Sequence, residues 1–430
     1  MDILLLVVAL ALMTVLAIRG VPIFYCAVIA SLFVLITAGM NVVTGMTDTY
    51  VTAFANYVKS NFFIFVLGAI FGKIVEVSGA AHAIADFVVG KFGDQFIVPA
   101  IIVAGGIMSY GGISVFVCMF TLYPLMFALF EKANISRTLA PGLYFAGAGS
   151  FSGWMPGAPS IQLLLPVQAF GTTTFAAALP GFIVGVIQIA MELAFCMWFV
   201  RYTQKKGLGW EGLGGASVAA VDTNRPRPSF ILSLLPMLVL IAALGFLHMP
   251  AAVGLFVGIV AALILYFKYL PWKNGIWGHL QTGFMSGCSA LMFTCAVVGF
   301  GGVVQATPAF QNLIQVVTNM NGNPLLMAVL ATAVLAGACG SGSGGEGLAL
   351  PIIKQYFVPM GVNTEALTRA VSLSALTLDS LPQNGLVNSA LSVANCNHRQ
   401  SYFLVFITTV LIPLIALALL LILFGVMGYM

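Results

Sequence analysis

The chain has 430 residues, of which 61% are hydrophobic and only 7% charged. Soluble domains carry about 25% charged residues, so this composition cannot cover a water-facing surface of that size. A soluble enzyme, a nucleic-acid binder and a disordered chain are excluded, and lipid is the solvent for most of the molecule. Sixteen basic against twelve acidic residues leave +4, too small a bias to call for a polyanionic partner such as nucleic acid.

The opening MDILLLVVALALMTVLAIRG lacks a basic n-region and a clear small-x-small cleavage site. It reads as a retained first span rather than a signal peptide. Apolar runs long enough to cross about 30 Å of hydrocarbon fall near 3–18, 21–38, 61–78, 174–200, 229–247, 250–268, 281–300 and 401–428. The stretches 97–171 and 324–395 differ. They are apolar but cut by SYGGIS, AGAGSFSGWMPGAPS, GACGSGSGGEG and LDSLPQNG. Unbroken helices would not carry these clusters, and irregular backbone is tolerated at membrane depth only inside protein or beside a cavity. Seven scattered cysteines show no C-x-x-C and no metal-like spacing with the four histidines. They read as small apolar packing residues, and no cofactor or metal is implied.

The halves of the chain match. Pro22 pairs with Pro250, Gly72 with Gly301, Ser114 with Ser343, Pro124 with Pro351 and Pro156 with Pro382, at a near-constant offset of about 226–229 residues. This predicts an all-α polytopic membrane protein of two repeats. An N-terminal repeat covers 1–200 (re-entrant hairpin about 97–130, broken span 138–171). A cytoplasmic linker covers 201–228. A C-terminal repeat covers 229–430 (hairpin about 324–358, broken span 365–395). Five crossings per half make the second copy inverted. With both termini outside, thirteen basic residues fall on the cytoplasmic side and only Lys59, Lys354 and Arg369 on the other, which obeys the positive-inside rule. The segments 80–93 and 309–320 read as amphipathic and lying along the interface.

Inverted repeats with broken helices at matching positions are the architecture of secondary transporters, with substrate held where the breaks meet near the midplane. Each new helix N-terminus presents free N–H groups that favour an anion. Freed carbonyls can instead coordinate a cation. Glycine permits close backbone approach at the tips, and Pro156, Pro159 and Pro382 keep the breaks from closing into helix. No Arg or Lys lies within the breaks, so an anion there is expected to be gripped by neutral dipoles. That favours a small monocarboxylate over a citrate-like trianion.

The motifs GSGSGGEGLALP (340–351), LDSLPQNGLVNSAL (378–391) and PGAPSIQLLLPVQAFGTT (156–173) resemble the gluconate permease (GntP) family of the ion transporter superfamily. The resemblance covers nearly the whole chain and is strongest to the branch handling short hydroxy-acids such as 3-hydroxybutyrate. It implies proton-coupled uptake of small organic anions across a bacterial inner membrane, and the superfamily implies a homodimer. Two positions depart from the family pattern: Gln383 stands where the family often has histidine, and Leu164 where it tends to have asparagine.

Asp379 is the leading candidate. It lies three residues before Pro382 in an apolar segment, and an intramembrane carboxylate is functional by default. It is expected to carry a proton or ligate a cation, or to cap a half-helix N-terminus; both can hold. Glu346, after the second tip, is a second coupling candidate, or else meets outside water. Ser114, Ser341 and Ser343 are expected to donate to a substrate carboxylate, or to bond their own turns. Gly112, Gly157 and Gly342 serve backbone approach or the turn alone. Ser160 and Gln162 follow the first break, and Gln383 and Asn384 occupy the second. Thr172 and Thr173 either cap the next helix or touch substrate. Glu192 is read as snorkelling or pairing near a helix end, Lys73 and Glu76 as an i, i+3 ion pair, and His82 and His398 as structural at the interface. GFIVG (181–185) is read as a close-packing motif rather than a dimer seam. The main alternatives are sodium coupling through carbonyls and the hydroxyls of Ser114 and Ser343, and an anion channel. No protease or haem-ligand constellation is visible, so the chain does not read as an enzyme.

Overall fold

The computed structural model describes residues 2–19, 21–92, 96–113, 115–212, 226–247, 249–272, 275–310, 312, 322–382 and 384–429. Every regular element among the described residues is helical. Among the described residues, four helices are long and apolar enough to cross a membrane: α3 (Val42–Val77), α9 (Ala178–Lys205), α12 (Ile276–Gln305) and α17 (His398–Met427). At about 1.5 Å per residue, each exceeds 30 Å. Shorter apolar helices pack beside them: α1 (Asp2–Ile18), α2 (Ile23–Thr37), α10 (Phe230–Gly245) and α11 (Ala251–Leu265). Pro22 and Pro250 stand at the N-caps of α2 and α11, where a fixed φ and a missing N–H do no harm.

Six of these elements, α1, α2, α3, α10, α11 and α12, form one layer, while α9 and α17 pack on each other and on the interrupted segments. α1 pairs with α2 and α10 with α11, while α3 and α12 run along each other. The contacts are crossed between the halves: α2 lies on α12, and α11 lies on α3. Gly283 and Gly287 make the α3–α12 seam possible. A Cβ on Gly287 would sit 2.8 Å from the Phe65 carbonyl oxygen and 2.8 Å from Val66 Cα, so only glycine admits this approach. The outward surface is apolar, with Leu4, Phe63, Phe246, Trp277 and Val426 all more than half exposed, as lipid requires.

The second layer holds the interrupted segments. In the first half these are α4 (Ala80–Phe92), α5 (Ile97–Tyr110), α6 (Val115–Ala133), α7 (Ala140–Ala148) and α8 (Ile161–Phe170). In the second they are α13 (Pro324–Cys339), α14 (Gly342–Ile352), α15 (Thr364–Ala375) and α16 (Gly385–Val393). α5 packs on α7 and α13 on α15, and α8 bridges to both α14 and α15. The amphipathic α4 buries Ala80, Ala81 and Ile84 against α5 and α10. Its Asp86 accepts from Arg227 at 2.6 Å. Lys73 and Glu76 pair at 2.7 Å. Most of 309–320 and residues 213–225 of the linker lie outside the described residues.

Candidate functional site

The second interruption is built by caps. α13 ends on Gly340 in the left-handed region, at φ 59°. Ser341 then caps α14, its Oγ accepting from Gly344 N–H at 3.2 Å. α15 ends at Ala375, and the chain stays irregular until Asn384 caps α16 by accepting from Val387 N–H at 2.9 Å. Asn384 also closes the site, because its Nδ2 donates to the carbonyls of Gly340 (3.1 Å) and Asp379 (2.9 Å). One side chain thus ties the α13–α14 turn to the α15–α16 break.

Asp379 sits inside that closure, 8% exposed. Its Oδ1 accepts from Ser380 Oγ at 2.9 Å, and the carboxylate also accepts from the backbone N–H groups of Ser380 and Gly342. Gly342 is the first residue of α14, so the carboxylate occupies that helix's N-terminus, where the dipole favours negative charge. A Cβ on Gly342 would lie 3.3 Å from Asp379 Oδ2, 3.3 Å from Gln162 Cγ and 3.0 Å from the Ala375 carbonyl oxygen. Glycine therefore lets the tip touch Asp379 and α8 together. Ser343 Oγ lies 3.4 Å from both Ser341 Oγ and Thr294 Oγ1 of α12.

Glu346 is one turn further into α14. It is fully buried, and among the described residues neither carboxyl oxygen has a hydrogen-bond partner. The reading of Glu346 as meeting outside water is therefore corrected. It interacts electrostatically with Asp379 and with the Tyr57 hydroxyl of α3, which is also buried without a hydrogen bond.

The first interruption has the same construction. Tyr110 Oη, at the end of α5, donates to the Pro156 carbonyl at 2.5 Å. Ser152 Oγ donates to Ser109 Oγ at 3.0 Å. Gly112 adopts φ 90° and Gly157 φ 88°, and a Cβ on Gly112 would lie 3.0 Å from Pro159 Cγ. Ser160 caps α8 and donates to the Gly153 carbonyl. Ser114 and Gln383 lie outside the described residues.

The two interruptions meet. Gln162 of α8 faces Gly342, and the backbone at Gly153 lies against Leu376. Arg369 of α15 makes the strongest link. The expectation placed it on the outer side with Lys59 and Lys354; instead it is fully buried. Its Nη1 donates to the Trp154 carbonyl, its Nη2 to Thr174 and Ala176 (2.7 Å each), and its Nε to Ala176 (3.1 Å). The breaks contain no cation of their own sequence, yet a guanidinium reaches into one of them from across the molecule. Gly181 and Gly185 of α9 leave room for this: a Cβ at Gly181 would lie 3.2 Å from Arg369 Nε, so GFIVG seats α9 on the break. Glu192 is likewise corrected. It is fully buried in mid-helix and accepts from Ser150 Oγ at 2.7 Å. Thr172 Oγ1 pairs with Thr368 Oγ1 at 2.7 Å and Thr173 bonds Phe175 N–H, while Ala177 occupies the N-cap of α9. His398 touches the Pro382 carbonyl at 3.1 Å. A cavity of about 220 Å³ opens beside α8, lined by Leu164, Thr172, Thr173, Thr174, Leu244 and Met249 among others.

The GntP family permease model matches residues 1–423. The chain belongs to the GntP permease family. It is therefore a membrane transporter, with an all-helical fold. It is 29% identical to the uncharacterized transporter YxjC of Bacillus subtilis (strain 168) over 96% of each chain. It is 23% identical to the high-affinity gluconate transporter of Escherichia coli (strain K12), over 81% of this chain and 82% of that one. Among solved structures it is similar in fold to the Alcanivorax borkumensis YdaH transporter, whose crystal structure is described as having an unusual topology. The TM-score is 0.60 at 13% identity, covering 89% of this chain and 88% of that one.

Within this GntP permease, Arg369, Thr294, Tyr57 and the Ser109–Ser152 pair were not singled out from sequence as site residues. Arg369 carried a signal, as the one basic residue in the broken span 365–395.

Proposed function

We propose that this permease is a secondary active transporter that carries a small hydroxymonocarboxylate, of the gluconate or 3-hydroxybutyrate kind, in symport with protons by alternating access. The relatives named for gluconate support the substrate class. The observation that carries the coupling is that Asp379 occupies the N-terminus of α14. While ionised, it consumes the N–H groups and dipole that a substrate carboxylate needs. Protonation removes that charge and frees the helix end. Proton and anion then bind cooperatively at one place, and by linkage each raises the affinity for the other. Ser341, Ser343, Gln162, Ser160 and Asn384 surround the vacated position, with Ser114 and Gln383 as further proposed members and Gly112, Gly157 and Gly342 giving backbone approach. Glu346, buried without donors beside Asp379, is proposed to receive or relay the proton. The cavity beside Thr172–Thr174 is the proposed approach to the site.

The proposed frame is a pair of inverted repeats, 1–200 and 229–430, joined by the cytoplasmic linker 201–228. Each has five crossings and one re-entrant hairpin, in a homodimer of a bacterial inner membrane with periplasmic termini. The alternative is sodium coupling through carbonyls at the breaks and the hydroxyls of Ser114 and Ser343.

The test is uptake of radiolabelled gluconate and 3-hydroxybutyrate into proteoliposomes. An inside-alkaline gradient without sodium is expected to drive accumulation. Asp379→Asn is expected to lower accumulation about tenfold at a gradient of one pH unit while keeping substrate counterflow. Accumulation only with sodium, or wild-type accumulation in Asp379→Asn, would defeat the proton reading. Flux at channel rates without counterflow would defeat alternating access.

A further inference from the structure

A second carboxyl group, remote in sequence from Asp379 and Glu346, is wired into the first interruption. Glu192 lies in the middle of α9 and is fully buried. Ser150 Oγ stands 2.7 Å from Glu192 Oε1 and 3.0 Å from the Thr408 carbonyl oxygen. Gln188 Nε2 donates to the same Ser150 Oγ at 2.7 Å, and Gln188 Oε1 accepts from Trp154 Nε1 at 2.9 Å. Trp154 is the residue whose carbonyl Arg369 grips. The chain Glu192–Ser150–Gln188–Trp154–Arg369 thus runs from α9 through the first break to α15, all of it buried.

Hydrogen counting decides what this chain can do. Ser150 has one hydroxyl hydrogen and two acceptors within reach. With Glu192 ionised, Ser150 must donate to Oε1, and the Thr408 carbonyl loses it. With Glu192 protonated on Oε1, the new O–H donates to Ser150 Oγ, and Ser150 turns its hydrogen to Thr408. Gln188 donates to Ser150 in both cases. Each protonation state therefore has a complete arrangement at Ser150 Oγ, and the two differ by one hydroxyl rotation. The Thr408 carbonyl lies in a π-helical turn, Ile407–Leu411, a register often found at functional sites.

We propose that Glu192 is a second proton-binding site of the permease, loaded and emptied once per cycle, with Ser150 reporting its state to α17. The proposal rests on the transport reading for its role in the cycle, but not for the existence of the site. The groups facing Glu192 leave it without a counter-charge. The Gln188 amide borders it, and the Cys196 thiol of its own helix interacts with it. From α5 and α7 the titratable residues are Tyr110 and Tyr144. α17 packs on α9 through Ile412–Met427, which contains none, and through Phe403 on Phe199, in a stretch that carries His398, Arg399 and Tyr402 beside the C-terminal end of α9; the first break has no charged side chain.

The experiment combines two readouts on purified protein. In infrared difference spectra between acid and alkaline buffer, the wild type is expected to show a protonated-carboxyl stretch that Glu192→Gln lacks and Ser150→Ala shifts in frequency. In proteoliposomes at a gradient of one pH unit, loss of one coupled proton lowers the steady-state accumulation of gluconate about tenfold. Glu192→Gln, whose amide reproduces the donor of the protonated state, is expected to show that tenfold loss with counterflow retained. A carboxyl band unchanged in Glu192→Gln, or unchanged accumulation, overturns the proposal. Absence of gradient-driven accumulation in the wild type instead overturns the transport reading, while the infrared band still decides the site. Ser150→Ala keeps the carboxyl group and serves if Glu192→Gln fails to fold.

Discussion

Replacing Arg369 by methionine tests whether the two interruptions are held together through α15. The guanidinium makes four hydrogen bonds to three carbonyls, those of Trp154, Thr174 and Ala176. These carbonyls flank α8 on both sides, so Arg369 pins that helix from either end. Methionine fills similar volume and donates nothing, which strands the buried carbonyls of Trp154 and Ala176, while that of Thr174 keeps the Gly157 N–H at 2.9 Å. Hydrogen bonds to charged groups are worth about 1.5–3 kcal/mol in soluble proteins, but polar contacts between membrane helices average nearer 0.6. Taking about 1 kcal/mol per stranded carbonyl gives about 2 kcal/mol, or roughly thirtyfold in the folding equilibrium. Arg369→Lys keeps the charge, but its single ammonium cannot span all three positions, so its loss is expected to be intermediate. The assay is thermal unfolding in detergent of the three proteins, with labelling of Cys339 and Cys295 as a local probe of opening between α12, α13 and α14. Equal midpoints for wild type and Arg369→Met, with unchanged gluconate uptake, would refute the account of Arg369 as the clasp.

Other expectations follow from single contacts. Gly342→Ala places a methyl group against Asp379 and the Ala375 carbonyl; it should depress gluconate uptake at least tenfold with thermal stability lowered by only about 1–2 kcal/mol, whereas normal uptake would remove Gly342 from the site. Gly287→Val forces apart the α3–α12 seam at the Phe65 carbonyl; a loss of about 2–3 kcal/mol in detergent is expected, and unchanged stability would show that the seam is not tightly packed. Tyr110→Phe removes the hydroxyl bound to the Pro156 carbonyl, with an expected loss of about 1 kcal/mol and faster proteolysis or labelling near 150–160.

Much of the chain's layout is legible in its composition. The clusters SYGGIS, GACGSGSGGEG and LDSLPQNG stand at the ends of α5, α13 and α15, because glycine and proline change the local backbone wherever they fall. Ser341, Ser160 and Asn384 were visible as polar residues at breaks, and the structure uses all three as helix caps. Arg369 and Glu192 were misplaced for one shared reason. Hydropathy assigns a charged residue to the nearest water, but Arg369 is satisfied by the carbonyls of Trp154, Thr174 and Ala176, 193 to 215 residues away, and Glu192 Oε1 is bound by the hydroxyl of Ser150, 42 residues away. Pairing at that range leaves no trace in a local window. Glu346 fails differently: it follows a glycine-rich tip that suggests exposure, yet α14 carries it inward against α12 and α3.

The measurement that reaches the central claim most directly is gluconate affinity against pH, by titration calorimetry on the wild type and Asp379→Asn. If Asp379 must be protonated to free the α14 N-terminus before the anion docks, wild-type affinity is constant below the titration of Asp379. Above it, affinity falls about tenfold for each further pH unit. Asp379→Asn should hold a pH-independent affinity near the wild type's acid value. An Asp379→Asn protein that keeps the wild-type pH slope, or a wild type that binds gluconate more tightly as pH rises, contradicts the account.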